Sequence, residues 1–154
     1  MNEINGTKNA QLIISAGVGT AGGVFSMIFG AWNDDMTAFL ILMAVDFITG
    51  LILAAFFQRS PKSENGALSS KECFRGIARK TCELLVVAAA YQSEKLTGIP
   101  YVRSVVIWGL CASEIISIME NAAIMGILPE SVQNIFNKII DVLNKKSSDD
   151  DKKG

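Results

Sequence analysis

The chain contains a run of 21 consecutive residues, 12–32, in which no side chain is charged: LIISAGVGTAGGVFSMIFGAW. A hydrocarbon core about 30 Å thick is crossed by roughly 20 helical residues, so this run predicts a transmembrane helix. A secretory signal peptide is the rival interpretation. The run is long for the apolar part of such a peptide, and a second apolar run follows almost at once. Both observations favour a helix that is retained.

The second run comprises residues 37–57, TAFLILMAVDFITGLILAAFF, and is apolar except for Asp46 near its middle. An aspartate at the centre of a membrane helix costs about 2.5–3.5 kcal/mol, whereas each Leu, Ile, Phe or Val returns about 0.3–0.6 kcal/mol. Because many such residues surround Asp46, we expect this segment to insert as well.

Two further helices are predicted after a loop at residues 58–69. Ser69 and Glu72 have the spacing of a capping box, and the sequence TGIP at 97–100 provides a stop. Only the stretch LLVVAAAY within this third helix is continuously apolar, and stretches of that length are often buried or re-entrant. The fourth helix is predicted at residues 101–123.

The pattern changes after Gly126 and Pro129. Apolar residues then recur with the spacing of one face of an amphipathic helix, at Val132, Ile135, Phe136, Ile139, Ile140 and Leu143. The fold predicted is an all-α integral membrane protein with three to four transmembrane helices and a C-terminal amphipathic helix. Its predicted parts are a cytoplasmic N-terminus (1–11), a transmembrane helical domain (12–126), the amphipathic helix (127–146) and a charged, disordered tail (147–154).

The distribution of Lys and Arg predicts the orientation, since these residues favour the cytoplasmic side. The break at 33–36 has neither, whereas both the loop with the start of the third helix and the C-terminal segment are basic. The residues concerned are Arg59, Lys62, Lys71, Arg75, Arg79 and Lys80 in the first region, and Lys138, Lys145, Lys146, Lys152 and Lys153 in the second. Four spans place both regions and the N-terminus inside, whereas three would place one basic region outside. The count favours four.

Several classes of function are disfavoured by composition. The chain has no histidine, the commonest general base and metal ligand. Cys73, Cys82 and Cys111 have no C-x-x-C spacing and predict reduced thiols rather than a metal or disulfide site. No nucleophile–base pair is visible, and no basic tract is long enough for nucleic acid. We therefore expect no enzyme, no cofactor, no metal and no nucleic-acid partner.

Small residues in the first helix predict close helix packing. Ser15, Gly19 and Gly23 are spaced four apart, a pattern that lets two helix backbones approach closely in lipid. Contact between subunits and packing within one subunit are equally compatible with the pattern.

Polar residues of the fourth helix share a single stripe. At 100° per residue the stripe is about 120° wide, and Arg103 projects onto it three turns earlier. Its members are Ser113, Glu114, Ser117, Glu120 and Asn121. Acids on a membrane helix face a partner or water rather than lipid. A polar seam inside a bundle and a pore lining both fit. We expect Glu114, midway along the span, to face protein in a closed state and to become hydrated on opening.

Other polar residues lie within the predicted membrane segments. Asp46, Thr49 and Gly50 share a face of the second helix. In the third helix Arg79 and Glu83 are four residues apart and are expected to neutralise each other. Lys80 lies next to this pair.

Taken in order, several short motifs resemble the toxin-secretion and phage-lysis holins of Gram-positive bacteria and their phages. They are DFITG at 46–50, LSS at 68–70, GIARK at 76–80, EIISIMENA at 114–122, and Gly126 followed by Pro129. The resemblance covers residues 37–143. It implies a homo-oligomer in the cytoplasmic membrane that opens lesions at a set time, through which an endolysin or a large toxin leaves. Direct contact with that cargo is not required, and the existence of an antiholin partner is left open.

Two hypotheses of function follow. The first is a holin, a hole-former without catalytic activity. The alternative is a small ion or proton channel, or a transporter subunit, that uses Asp46 and the stripe of the fourth helix.

Overall fold

Five α-helices make up the computed structural model, which describes residues 2–61 and 66–150, with side chains at 8, 11–61, 66–139 and 141. No strand occurs in those ranges. A π-helical turn, Leu53–Phe57, directly continues the second helix. The helices are α1 (Asn2–Phe29), α2 (Asp34–Ile52), α3 (Ser70–Thr97), α4 (Val102–Ile124) and α5 (Glu130–Asp150).

Three helical segments of the described chain are long and apolar enough to cross a membrane: Gln11–Phe29, Asp34–Phe57 and Val102–Ile124. The predicted all-α membrane fold is therefore confirmed. By the same criterion α3 is not a span, because eight charged side chains are spread over its 28 residues. Composition alone thus gives three spans, where the charge count of the loops favoured four.

Helix ends follow local chemistry. α1 stops at Gly30, whose φ of +87° suits glycine and whose N–H donates to the Ser26 carbonyl at 3.0 Å. Asn33 caps α2, since its side-chain oxygen accepts from the Met36 N–H at 3.1 Å. α3 begins after Ser69, as the capping-box spacing predicted.

The turn between α4 and α5 is closely defined. Gly126 has φ +74°, its N–H donates to Ala123, and the N–H of Ile127 donates to Ala122 at 3.1 Å. These two bonds are those of a Schellman motif, which satisfies the last carbonyls of α4. After it, the Pro129 carbonyl accepts from Val132 in the first turn of α5.

The chain forms two compact parts. The first comprises residues 1–44 and 74–114, and the second comprises 45–73 and 115–154. In the first part, a core from α2, α3 and α4 is buried: Met36, Phe39, Met43, Val87 and Ile107. From α1, Phe25 and Phe29 near its C-terminal end pack against this core. Among the described side chains of the second part, the buried apolar ones are Leu53 and Ala54, both from the π-helical turn.

Local sequence sets the bounds of the last helix. α5 begins at Glu130, because the Schellman turn and Pro129 separate it from α4. It continues to Asp150. Residues 130–150 contain no glycine or proline that would stop the helix. The rest of the predicted tail, 151–154, lies outside the described residues, as does Lys62 of the basic loop.

Candidate functional site

The membrane segment of α1 contains a long stretch without packing in its own subunit. Every side chain from residue 11 to 24 is exposed, and Leu12 retains 70% of its accessible surface. A Cβ atom added at Gly17, Gly19, Gly22 or Gly23 would meet no atom of the described chain within 4 Å, apart from the neighbouring backbone of α1. The hydroxyl of Ser15 donates to the Leu12 carbonyl within the same helix. The predicted small-residue face therefore has no intramolecular partner among the described residues.

α1 is held at its C-terminal end instead. Arg103 Nη1 donates to the carbonyl oxygens of Phe29 at 2.6 Å and Ala31 at 3.2 Å. Gln92 Nε2 donates to the carbonyls of Met27 and Ile28 at 3.1 and 3.0 Å. These carbonyls lie at the C-terminal end of α1, which is the negative end of the helix dipole. A guanidinium is therefore well suited to bind there.

A Cβ at Gly30 would lie 2.7 Å from Cε2 of Tyr91 and would also collide with the Arg103 guanidinium. Glycine is therefore required at this position for space as well as for its positive φ. The Arg103 guanidinium itself stands over the Tyr91 ring at 5.6 Å.

A second polar group at this end joins α2 to α4. Asp35 accepts hydrogen bonds from the Ser104 hydroxyl at 2.8 Å and from the Trp108 indole at 3.2 Å. Sequence reasoning missed these residues and Gln92. The available signal was weak: an acid in the first turn of α2 and polar side chains in the first turns of α4.

Farther along α3 and α4 lies a cluster of four charges, Arg79, Lys80, Glu83 and Glu114. The ammonium group of Lys80 forms an ion pair and hydrogen bond with Glu114 Oε2, and it lies 3.7 Å from Glu83 Oε2. The predicted pair between Arg79 Nε and Glu83 Oε1 is present at 3.1 Å. Two cations and two anions make the cluster electrically neutral.

Glu114 is the deepest member of the cluster. Its side chain is fully buried, whereas the side chains of Lys80 and Glu83 keep 11% and 13% of their exposure. Within the described chain, Glu114 Oε1 and Glu83 Oε2 have no hydrogen-bond partner. Ionised oxygens in this condition are costly to keep dry, and the cost is lowered by the neighbouring cations.

Contacts at both ends of the pair show how α3 and α4 run. Glu94 Oε1 of α3 accepts from the backbone N–H of Arg103 in α4 at 2.8 Å. The second contact joins Lys80, which precedes Glu94 by 14 residues in α3, to Glu114, which follows Arg103 by 11 residues in α4. The two helices are thus antiparallel neighbours over roughly 16–21 Å, at a rise of about 1.5 Å per residue.

The second part of the molecule contains its own polar group. Asn121 Nδ2 donates to the Thr49 hydroxyl at 3.2 Å, and that hydroxyl donates to the Asp46 carbonyl at 3.0 Å. Asp46 and Asn121 are each only 4% exposed. At Gly50 an added Cβ would be 3.8 Å from Asn121 Nδ2, an ordinary contact distance. The predicted face of Asp46, Thr49 and Gly50 thus lies against protein.

The stripe of α4 has a mixed environment. Glu114 and Asn121 are buried and Ser117 is half-buried, whereas Ser113 and Glu120 are exposed. Exposure therefore falls from one edge of the stripe, formed by Glu120 and Ser113, to the opposite edge, formed by Asn121 and Glu114.

Comparison with known proteins supplies the family. The sequence profile of the bacteriophage holin family matches residues 23–145. The chain belongs to this family. The matched region begins within α1 and extends into α5, so it includes the charge cluster and the polar group of the second part. The holin family is not a family of enzymes.

Relatives from Listeria and Clostridium extend the similarity over nearly the whole chain of this holin-family protein. An uncharacterised protein of Listeria innocua is 32% identical over 144 residues, covering 93% of this chain and 95% of its own length. An uncharacterised Listeria monocytogenes protein is similar to the same extent. An uncharacterised 14.9 kDa protein of Clostridium perfringens is 30% identical, covering 86% of this chain and 96% of its own. No solved structure matches the chain.

Proposed function

We propose that the protein is a hole-forming holin, which accumulates in the bacterial cytoplasmic membrane, oligomerises and opens lesions. An endolysin or a large toxin then leaves through the lesions, with host cell lysis or toxin secretion as the outcome. The observation that carries this proposal is the unpacked segment 11–24 of α1, in a chain that belongs to the holin family.

This segment favours assembly for a physical reason. In lipid, helices associate through close van der Waals packing, and small residues permit the closest approach. The face of Ser15, Gly19 and Gly23 meets no other element of its own subunit among the described residues. A second copy of the chain supplies a matching helix, so a homo-oligomer through α1 is the arrangement that uses the face.

The charge cluster supplies a means of opening. In the dry state Glu114 is held by Lys80, beside Glu83. Water that enters between subunits would solvate Glu114 Oε1 and Glu83 Oε2, the two carboxylate oxygens that accept no hydrogen bond within the described chain. The hydrated arrangement gains this solvation and loses part of the ion pair, so a modest change in packing shifts the balance between them.

We also propose four membrane spans, with both termini in the cytoplasm. α3 lies antiparallel to α4 from Glu94 to Lys80, so it accompanies a membrane helix through much of the bilayer. Its charges near mid-depth are compensated within the neutral cluster, which removes the main obstacle to insertion. Four spans also place the basic loop and the lysine-rich C-terminal region on the same side.

Membrane lipid and other copies of the chain are the partners that this function requires. The released endolysin or toxin depends on the hole without having to touch the protein. An antiholin would be a further partner that acts on assembly.

A small channel or transporter is the second candidate. It is favoured by the polar group of Asp46, Thr49 and Asn121, in which Asp46 and Asn121 are buried. Buried acids in membrane helices commonly mark paths for ions or protons. This function would change ion or solute flux and would keep cytoplasmic proteins inside the cell.

Induced expression in a bacterium tests the proposal. A holin stops growth abruptly after a delay and releases a cytoplasmic reporter enzyme into the medium when an endolysin is co-expressed. The matched control is the chain with Gly19→Leu and Gly23→Leu, expressed to the same membrane level. Dissipation of ion gradients without any enzyme release would contradict the proposal and support the channel.

A further inference from the structure

α5 presents an apolar face that its own subunit leaves open. Ile135 and Ile139 are 61% and 52% exposed, and Val132 is exposed beside them. They are spaced three and four residues apart, so they lie on one side of the helix. Phe136, on the same side, is half-buried. The opposite side carries the exposed polar residues Asn134, Asn137 and Asp141.

The start of α5 is fixed close to the end of a membrane span. Only residues 125–129 separate α4 from α5, and five residues reach at most about 17 Å. The Schellman bonds at Gly126 and Ile127 make this connection compact, and Gln133 of α5 donates its side-chain N–H to the Leu128 carbonyl at 2.8 Å. The first turns of α5 are therefore held at the level where α4 leaves the bilayer.

We propose that α5 lies along the boundary between headgroups and acyl chains of the bilayer that its own chain spans. The partner of its apolar face is lipid: Val132, Ile135 and Ile139 enter the acyl region, and Asn134, Asn137 and Asp141 face water. Ile127, in the turn that leads into α5, is exposed as well, and an amphipathic helix held at that depth buries its apolar face without any new protein partner.

The charge of α5 indicates which lipid interaction stabilises it. Three lysines and four acidic residues between 130 and 150 give a net charge of −1. Attraction to anionic headgroups therefore contributes little, because it requires an excess of Lys or Arg. Binding rests on apolar area, so it is independent of the anionic lipid fraction and of salt.

Site-specific quenching in the full-length chain tests this placement. Cys73, Cys82 and Cys111 are replaced by Ala, and one new cysteine is introduced per variant as Ile135→Cys, Ile139→Cys, Asn134→Cys or Asn137→Cys. All four positions are exposed, so the substitutions leave packing within the subunit intact. Each variant carries an environment-sensitive fluorophore and is reconstituted in phosphatidylcholine vesicles, with and without phosphatidylglycerol. A nitroxide lipid labelled near the top of the acyl chain and aqueous iodide serve as quenchers.

We expect the nitroxide lipid to quench labels at 135 and 139 several-fold more strongly than those at 134 and 137, and iodide to show the reverse order. The pattern is expected to be the same in both lipid compositions. Equal iodide quenching at all four positions would overturn the proposal, since it indicates a helix in water. Efficient disulfide crosslinking between two copies of the unlabelled Ile135→Cys variant, without lipid quenching of its label, would also overturn it, in favour of a second copy as partner. If this quenching pattern appears only with phosphatidylglycerol, α5 is held by electrostatic attraction rather than by apolar burial, which would overturn the proposed basis of binding.

Discussion

Lys80 of α3 and Glu114 of α4 form an ion pair in which the glutamate is fully buried. The pair joins residues 34 positions apart and belongs to a neutral group of four charges. Removing one partner from a buried pair is expensive, because it leaves an uncompensated charge, whereas removing both leaves no such charge. The pair therefore predicts a specific pattern among single and double variants.

We expect Glu114→Gln to insert and accumulate normally and to change the lysis time. A shift of about 1 kcal/mol between the dry and hydrated arrangements changes their ratio about fivefold. Lys80→Gln should shift the time as well, and the double variant should lie closer to wild type than either single variant. Lysis timing at matched membrane levels measures all three.

Two further substitutions separate the charge of Glu114 from its polar contacts and from general effects of leucine on α4. Glu114→Leu removes the polar contacts as well as the charge and is expected to have the larger effect. Ile115→Leu, at the exposed neighbouring position, should change the timing little. If Glu114→Leu accumulates and lyses on the wild-type schedule, the stripe is a structural seam and opening depends on another surface.

We expect Gly19→Leu combined with Gly23→Leu to weaken oligomers, because the added side chains prevent close approach of α1 helices. A Cβ added at either glycine meets no atom of the described chain within 4 Å apart from the neighbouring backbone of α1, and both positions are exposed, so the subunit itself should remain intact. Gly17→Leu is the matched control, since Gly17 has the same open surroundings and lies on the opposite side of α1. Chemical crosslinking in membranes measures the effect. Identical ladders for the double variant and wild type would exclude this face as the contact.

The membrane helices could be predicted from sequence because lipid imposes a simple rule on long uncharged runs. The burial of Glu114 was also foreseen, since an acid midway along a span has to face protein or water. Its partner Lys80 was not identified. Thirty-four residues and a loop separate the two, and periodicity describes one helix at a time.

Arg103→Leu is expected to release the C-terminal end of α1. It removes two hydrogen bonds from a charged donor to the Phe29 and Ala31 carbonyls, each worth about 1.5–3 kcal/mol when the donor is charged. Hydrogen–deuterium exchange in detergent should increase at residues 27–32. Lys95→Gln serves as the control, since it removes a positive charge near the end of α3, where Lys95 Nζ lies 5.6 Å from the centre of the Tyr91 ring. Unchanged exchange in Arg103→Leu would mean that Gln92 and the apolar contacts of Phe25 and Phe29 suffice.

A reporter that is active only outside the membrane should be silent when fused after Gly154. The proposed four spans place the C-terminus in the cytoplasm, and a reporter active only inside should be bright at the same site. Strong external activity would require an odd number of spans and would remove α3 as a crossing helix. A fusion in the basic loop, after Arg59, gives the cytoplasmic reference in either case.

The role of Arg103 illustrates what sequence patterns do not contain. Its projection onto the polar stripe of α4 was recognised, but its acceptors are main-chain carbonyls of α1. Carbonyls are present at every residue, so no side-chain pattern marks them.

The exposed segment of α1 links the proposed assembly to the amount of protein made. A helix that finds its packing only in other copies gains no stabilisation while the protein is dilute in the membrane, and mass action raises that gain with every copy inserted. For an assembly of many subunits the response to surface density is steep. The time at which the assembly forms would then be set by the rate of synthesis and by the copy number at which α1 pairs, without a separate sensor. A weaker α1 contact would delay it.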